Sequence, residues 1–201
     1  MFIIGITGGT GAGKTTALKA LEALGALVLD CDAIYHDLLS ENDYLKDELE
    51  ARFSGVLLDG MIDRKRLGEI VFSDPSALAD LNTITHKYVS TEIESRLDEW
   101  KAQGGAVAAI DAIALIESGR RNRCDVTVGV IAPFETRVSR IIKRDEITRE
   151  QAELRINAQK PESFFRENCN YILENSYNMS EDFEEKCIDF FAQLIGGHIN
   201  A

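Results

Sequence analysis

Residues 3–32 have the sequence IIGITGGTGAGKTTALKALEALGALVLDCD, which sets the architecture of the chain. Within this stretch, Gly8 to Thr15 match the pattern G-x-x-x-x-G-K-T, which binds the phosphates of a nucleotide. The glycines allow backbone N–H groups to surround the phosphates, and the helix that follows directs the positive end of its dipole at them. We expect Lys14 to reach the β- and γ-phosphates and the Thr15 hydroxyl to bind Mg²⁺.

The residues that flank this loop predict a strand–loop–helix–strand unit. The apolar run FIIGIT at 2–7 is typical of a buried strand, alanines and leucines then recur at helical spacing, and Gly25 stands where the helix would end. The run ALVL at 26–29 predicts a second strand. Two strands joined by one helix in this way lie parallel, with a right-handed crossover.

Later patterns extend this unit into an α/β domain. Further apolar runs predict three more strands, namely AVAAID at 106–111, DVTVGVIA at 125–132 and NYILEN at 170–175. The residues between the second and third strands have mainly helical patterns, and Asp74-Pro75 is suited to the start of one long helix. A densely charged helical flap is expected over 133–159, and a final amphipathic helix around 182–194. The sequence therefore predicts a P-loop NTPase fold, with a five-stranded parallel sheet flanked by helices.

Composition narrows the classes of function. At 201 residues the chain is long enough for one domain with a small insertion. A net charge of −12 disfavours a coat on nucleic acid, and no apolar run reaches the roughly 18 residues of a membrane span. The four cysteines form no C-x-x-C pair, and the N-terminus enters FIIGITGG without a basic segment. We therefore expect a cytoplasmic protein with no nucleic-acid or membrane partner. The sequence does not fix the oligomeric state, for which a monomer is favoured.

Two aspartates stand where strands end. In an open parallel sheet, ligands bind beyond the carboxyl ends of the strands, so the phosphate loop, Asp32 and Asp111 are expected to share one pocket. Asp32 has two open roles. It orients or deprotonates an acceptor hydroxyl, or it is a structural residue that caps a helix or lies in a solvated turn, and Asp30 is the other candidate for the cap. Asp111 occupies the position at which a carboxylate commonly holds Mg²⁺, the alternative being a plain strand-ending residue.

The basic residues indicate a function less clearly than the aspartates do. Arg137, Arg140 and Arg144 follow the fourth strand at helical spacings, with Arg155 beyond them. Arginines on a mobile flap neutralise a transferring phosphoryl group, but a charge-rich helix is more often a solvated face. Spacing gives no role to the three separated histidines, which are His36, His86 and His198.

The missing motifs separate a kinase from a nucleotide switch. A GTPase needs D-x-x-G to sense the γ-phosphate and N-K-x-D to recognise guanine, and neither occurs in the sequence. A partition-type ATPase carries an extra lysine early in the loop, which GGTGAGKT lacks. The sequence therefore favours a small-molecule kinase.

Several motifs then occur in a fixed order along the chain. They are TGGTGAGKTT at 7–16, LGALVLDCDAI at 24–34, DGMIDRKRLGEIVFSD at 59–74, LNTITHK at 81–87, DAIALIESG at 111–119, R-x-x-x-RD at 140–145, RI-x-x-Q at 155–159 and CNYILEN at 169–175. In these motifs and their separations the chain resembles the dephospho-CoA kinase family over nearly its whole length. It departs from the family pattern at a few packing and turn positions, which are Lys87, Ile113, Ile116 and Cys169-Asn170.

This resemblance implies transfer of the ATP γ-phosphate to the ribose 3′-hydroxyl of dephospho-CoA, the last step of coenzyme A synthesis. It implies that Lys14, Asp32 and Arg140 are catalytic, with Asp32 as the base or hydroxyl-orienting group. The domain would comprise a core at 1–32, 104–142 and 161–201, a helical CoA-side insertion at 33–103 and a lid at 143–160. Another small-molecule kinase, acting on a nucleoside or nucleotide, is the alternative.

The resemblance also implies a set of binding residues. Contacts to ATP are expected from the loop and one arginine, namely Gly8, Gly9, Gly11, Ala12, Gly13, Lys14, Thr15, Thr16, Ala17 and Arg144. Contacts to dephospho-CoA are expected from Asp32, Arg64, His86, Asp111 and Glu117. Thr15 and Asp111 would bind Mg²⁺.

Overall fold

The computed structural model describes residues 1–177 and 179–199, with the side chain of residue 199 left out. Its strands are β1 (Phe2–Gly8), β2 (Leu27–Asp30), β3 (Leu57–Leu58), β4 (Met61–Ile62), β5 (Val107–Asp111), β6 (Val126–Ile131) and β7 (Tyr171–Glu174). Its helices are α1 (Lys14–Ala23), α2 (Cys31–Glu41), α3 (Asp43–Arg52), α4 (Arg64–Ser73), α5 (Pro75–Ala102), α6 (Phe134–Asp145), α7 (Arg149–Asn157), α8 (Glu162–Asn168) and α9 (Ser180–Ile199), with a 3-10 turn at Arg120–Arg123.

Five strands form one sheet in the order β2-β5-β1-β6-β7, which confirms the expected five-stranded parallel sheet. The central strand β1 pairs parallel with β5 on one side and with β6 on the other. Its Ile6 lies opposite Asp111 of β5 and Val128 of β6. This register brings the end of β5 beside the loop that follows β1.

The core lies between the sheet and two helices. Ile4 and Ile6 of β1 are fully buried, and they belong to one apolar cluster with Leu21 of α1 and with Phe183 and Phe191 of α9. The strands are almost continuous apolar runs because helices cover the sheet. Helix α1 ends at Ala23, with Leu24 as its C-cap. Gly25 follows with a φ of +81°, a left-handed backbone that glycine adopts at little cost.

Residues Asp30–Trp100 form a second compact unit. It contains α2, α3, α4, most of α5 and a hairpin of β3 and β4, in which Leu57 pairs with Ile62. The sequence predicted helices here, so the hairpin was missed. The turn Asp59-Gly60, with φ of 50° and 78°, is a hairpin signal, but strands of two residues leave no alternation of apolar side chains to detect.

Helix boundaries follow their caps. The side chain of Asp74 accepts from Ser76 N at 2.8 Å, as expected for the start of α5. The charged flap is a pair of helices whose apolar sides meet, with Val138 and Ile141 of α6 against Ala152 and Ile156 of α7. In the described residues, no helix combines the length and the low polarity needed to cross a membrane.

Candidate active site

The loop between β1 and α1 lines a cavity of about 270 Å³. Gly13 precedes α1 with a φ of +107°, and Lys14 is the first residue of the helix. The loop and helix contribute Gly9, Thr10, Gly11, Gly13, Lys14 and Thr15 to the wall, and Ile113, Arg140, Ile141 and Arg144 complete it. A helix N-terminus with three basic side chains beside it attracts a polyanion.

Lys14 forms an ion pair with Asp111. Its Nζ lies 3.0 Å from Asp111 Oδ1 and 3.3 Å from Oδ2, and the two side chains are only 16% and 10% exposed. The pairing follows from the sheet, because Asp111 ends β5 next to β1. The structure thus confirms that Asp111 lies at the phosphate loop, with Thr15 exposed beside Lys14.

The predicted arginine cluster divides in two. Arg140 and Arg144 line the cavity, and Arg144 also bonds to Asp145 at 2.7 Å, which holds the pKa of Arg144 above its usual value. Arg137 is buried behind the loop, where its Nε donates to the Thr10 carbonyl, and burial lowers its pKa. Arg155 pairs with Asp145 at 2.5 Å on the exposed side of the flap.

Gln159 and Asn175 contact the loop and were not identified as site residues from the sequence. Gln159 Oε1 accepts from Thr10 N at 2.8 Å, and Asn175 Nδ2 donates to the Ala12 carbonyl at 2.9 Å. The signal was present, because both residues close motifs that carry the resemblance to the kinase family, RI-x-x-Q and CNYILEN. A polar residue at the end of a motif did not by itself indicate a partner 149 or 163 positions away.

A second cavity, of about 400 Å³, adjoins the first. The two share Gly9 and Ile113, and the second continues along Glu117 to Lys160 and Phe165. Ile113, where the family usually has proline, is 49% exposed and its carbonyl accepts from the Thr7 hydroxyl at 3.2 Å. Glu117 therefore lines the same cavity as Gly8 and Gly9 of the phosphate loop, and its assignment as a substrate contact stays a prediction.

Three predicted substrate residues belong to the second unit. Asp32 lies in the first turn of α2 with an exposed side chain, while Asp30 caps that helix by accepting from Asp32 N at 2.8 Å and from Ala33 N at 3.0 Å. This contact settles the choice of cap and leaves the Asp32 carboxylate outside the cap. Arg64 is the first residue of α4. Burial raises the pKa of Tyr35, and the charge of Arg64 lowers it by a smaller amount. His86 is exposed on α5.

The remaining expected loop contacts differ in exposure. Gly8, at the end of β1, lines the second cavity, and Thr16 is half-buried in the first turn of α1. Ala12 and Ala17 are buried in the core cluster. The side chain of Ala17 therefore packs inside the protein, and its assignment as a nucleotide-binding residue stays a prediction.

The chain is similar to known proteins over nearly its whole length. The family model described as dephospho-CoA kinase matches residues 2–181. A dephospho-CoA kinase from Geobacter sulfurreducens is 37% identical over 96% of this chain and 98% of its own length. A crystal structure from Thermus thermophilus, 34% identical, has a TM-score of 0.79 and covers 96% of this chain and 97% of that one.

A solved dephospho-CoA kinase from Campylobacter jejuni is 26% identical, with a TM-score of 0.71 and a coverage of 98% for both chains. The similarity therefore extends over the phosphate loop, the sheet and the second unit alike. Both the sequence model and relatives above 30% identity span nearly the whole length. This chain belongs to the dephospho-CoA kinase family.

Proposed function

We propose that the protein transfers the γ-phosphate of ATP to the ribose 3′-hydroxyl of dephospho-CoA, giving coenzyme A and ADP. The observation that carries this proposal is the cavity at the phosphate loop, where Lys14, Arg140 and Arg144 converge in a chain of the dephospho-CoA kinase family. Phosphoryl transfer needs little covalent chemistry from the protein. Positioning and charge stabilisation, which this cavity is built to supply, account for most of the catalysis.

On the donor side, the loop and the N-terminus of α1 bind the triphosphate. The Lys14 ammonium group, which pairs with Asp111 in this structure, would turn to the β- and γ-phosphates when ATP binds, because the lysine side chain is flexible and the phosphates are also anionic. Arg140 and Arg144 stabilise the negative charge that spreads over the transferring group. Residues 143–160 act as a lid that excludes water, so that the phosphoryl group is not lost to hydrolysis.

Mg²⁺ fits the available oxygen ligands. Within the described residues, no group of three His, Cys, Asp or Glu side chains is arranged to hold a metal ion. Mg²⁺ in kinases is held by one or two protein oxygens together with phosphate oxygens, and the Thr15 hydroxyl and the Asp111 carboxylate are such ligands. When bound, the ion neutralises charge on the phosphate oxygens.

On the acceptor side, we assign Asp32 to the 3′-hydroxyl, which it orients or deprotonates. An exposed carboxylate that is not occupied as a helix cap supports this role. We assign four further contacts to dephospho-CoA, from Arg64, His86, Asp111 and Glu117. The cavity that Glu117 lines would hold part of the dephospho-CoA molecule. The four cysteines, which all lie within the described residues, form no disulfide, and we assign the protein to a reducing compartment, the cytoplasm.

The test is a coupled assay of ADP release with ATP and Mg²⁺, comparing dephospho-CoA with a panel of nucleosides and nucleoside monophosphates. Turnover that depends on dephospho-CoA and yields a 3′-phosphate supports the proposal. Turnover only with a nucleoside or nucleotide would retain the donor site and discard the acceptor assignment, including Arg64 and His86.

A further inference from the structure

The outer side of the phosphate loop is held by side chains from distant parts of the chain. Arg137 of α6 donates from Nε to the Thr10 carbonyl at 2.9 Å. Asn175, just after β7, donates from Nδ2 to the Ala12 carbonyl at 2.9 Å. Gln159, two residues beyond α7, accepts from Thr10 N at 2.8 Å. We refer to Arg137, Gln159 and Asn175 as the loop clamp.

The clamp residues are themselves fixed by further hydrogen bonds. Gln159 Oε1 also accepts from Arg137 Nη2 at 3.0 Å, and Asn175 Oδ1 accepts from Arg140 Nη2 at 3.0 Å. Arg137 is 9% exposed and Asn175 is 3% exposed. Because both ends of the Asn175 amide are engaged and the residue is buried, its orientation is determined by the fold.

These contacts orient the loop through the geometry of the peptide bond. In a planar trans peptide, the N–H of one residue points opposite to the carbonyl of the residue before it. With the Thr10 and Ala12 carbonyls turned to the clamp, the N–H groups of Gly11 and Gly13 point away from it. Gly11 and Gly13 both line the phosphate cavity. The direction of these donors is thus set before any phosphate arrives.

The spacing between clamp and loop gives independent support. A Cβ atom on Gly9 would lie 2.3 Å from Arg137 Nη2, and one on Gly13 would lie 2.3 Å from Asn175 Nδ2. Gly9 is one of the free positions in G-x-x-x-x-G-K-T, and no positive φ is recorded for it. Its lack of a side chain is explained by the close approach of Arg137 and Gln159, which leaves no room for a methyl group.

We propose that Arg137, Gln159 and Asn175 are positioning residues, which fix the loop backbone so that its N–H groups are pre-arranged for the phosphates of ATP. Pre-arranged donors do not reorganise when the ligand binds, and this is the source of their strength in phosphoryl transfer. The inference rests on the proposed function only in taking ATP as the donor. It predicts a defect in nucleotide binding, separate from binding of the acceptor.

The experiment uses Asn175→Ala and Gln159→Ala, with Asn170→Ala as the matched control. Asn170 stands before β7 as Asn175 stands after it, and its side chain likewise bonds to the main chain, accepting from Thr127 N at 2.8 Å. It takes no part in the loop clamp. For each protein, the Kd for ATP and for ADP is measured by calorimetry, the Tm by thermal unfolding, and the KM for each substrate by the coupled assay.

We expect Asn175→Ala and Gln159→Ala to raise the Kd for ATP by about tenfold, which corresponds to about 1.4 kcal/mol. The KM for ATP rises with it, and in Asn175→Ala the KM for dephospho-CoA stays within about twofold. Gln159 also lines the second cavity, so for Gln159→Ala the Kd for ATP is the deciding measurement. Asn170→Ala lowers the Tm and leaves the Kd for ATP unchanged. Gln159 is half-buried, so its variant decides the question even if Asn175→Ala does not fold.

Two results would overturn the inference: an unchanged Kd for ATP in the folded clamp variants, or an equal rise in Kd in Asn170→Ala. The binding measurements stand apart from the acceptor assignment. If the wild-type protein binds ATP but does not turn over dephospho-CoA, the proposed function is wrong, and the comparison of Kd values still decides the role of the clamp.

Discussion

Lys14 Nζ and Asp111 Oδ1 lie 3.0 Å apart, which joins the first residue of α1 to the last residue of β5. The pair links the start of α1 to the neighbouring strand, and each partner is nearly excluded from solvent. A charge that loses its partner in such a place is costly, so both members are expected to matter for the protein as well as for the reaction.

Lys14→Ala removes the ammonium group that we assign to the phosphates. We expect kcat/KM to fall by about a hundredfold or more, corresponding to roughly 3 kcal/mol of lost transition-state stabilisation. Steady-state kinetics with dephospho-CoA, together with circular dichroism to verify folding, measures the change. Near-normal turnover in a folded variant would contradict the role of Lys14.

Asp111→Asn keeps the shape of the side chain and removes its charge. Because Asp111 is assigned to Mg²⁺, we expect the Mg²⁺ concentration for half-maximal activity to rise by about tenfold. Losses of metal affinity of this size are common when a residue around a metal site is changed. A magnesium titration at saturating ATP measures this. If activity falls while the Mg²⁺ dependence is unchanged, Asp111 acts on Lys14 and not on the metal.

Asp30→Ala and Asp32→Asn separate folding from chemistry in α2. Asp30 caps the helix, so its loss is expected to lower the free energy of unfolding by about 1 kcal/mol. Asp32→Asn removes only a favourable charge in the first turn, about 0.3–1 kcal/mol, and is expected to lower kcat by a factor of about 10² or more. Urea unfolding and steady-state kinetics on both variants provide the comparison. Comparable kcat losses in the two would argue against a chemical role for Asp32.

Glu117→Gln tests the second cavity. Glu117 lies in its wall, and we assign its carboxylate as an acceptor of hydrogen bonds from dephospho-CoA. The variant is therefore expected to raise the KM for dephospho-CoA by about tenfold, within the usual range for a hydrogen bond to a charged group. The KM for ATP should stay unchanged. Glu185→Gln, at an exposed position of α9, is the control. An equal rise in both KM values would move Glu117 to the donor site.

The buried thiol of Cys187 is expected to make the stability of the protein depend on pH. The residue is fully buried, and burial raises the pKa of its thiol to about 12. In the unfolded chain the thiol loses its proton near pH 8.5. Between that pH and about 12 deprotonation stabilises the unfolded state, so the free energy of unfolding falls as the pH rises. The stability advantage of the wild type over Cys187→Ala is expected to shrink by about 2 kcal/mol from pH 8 to pH 10. Urea unfolding at both pH values measures it, and a constant advantage would show that the thiol does not contribute.

Much of this protein follows from local patterns. The apolar runs predict both ends of each strand of the main sheet to within one residue. They do so because a strand covered on both faces needs a continuous apolar sequence. The phosphate loop is determined by its glycines and Lys14, and the order of strand, loop, helix and strand fixes a parallel pair. The hairpin at Asp59-Gly60 is the exception, since its strands are too short to show a period.

The site required the tertiary structure. The sequence placed Lys14 and Asp111 at the same edge of a sheet, and only the register of β1 and β5 made them an ion pair. Spacing on α6 made Arg137 and Arg140 equivalent, whereas packing buries one behind the loop and leaves the other in the cavity. A helical period describes which residues share a face, but it does not identify what that face meets.

The sequence by itself determined the sheet, the phosphate loop and the family, because these depend on residues close together in the chain or on motifs in a fixed order. Tertiary structure alone decided the partners of the loop. Thr10 and Ala12 are held by Gln159 and Asn175, from 149 and 163 positions away. Contacts across such distances arise only when the strands and helices pack, because no local preference of the backbone encodes them.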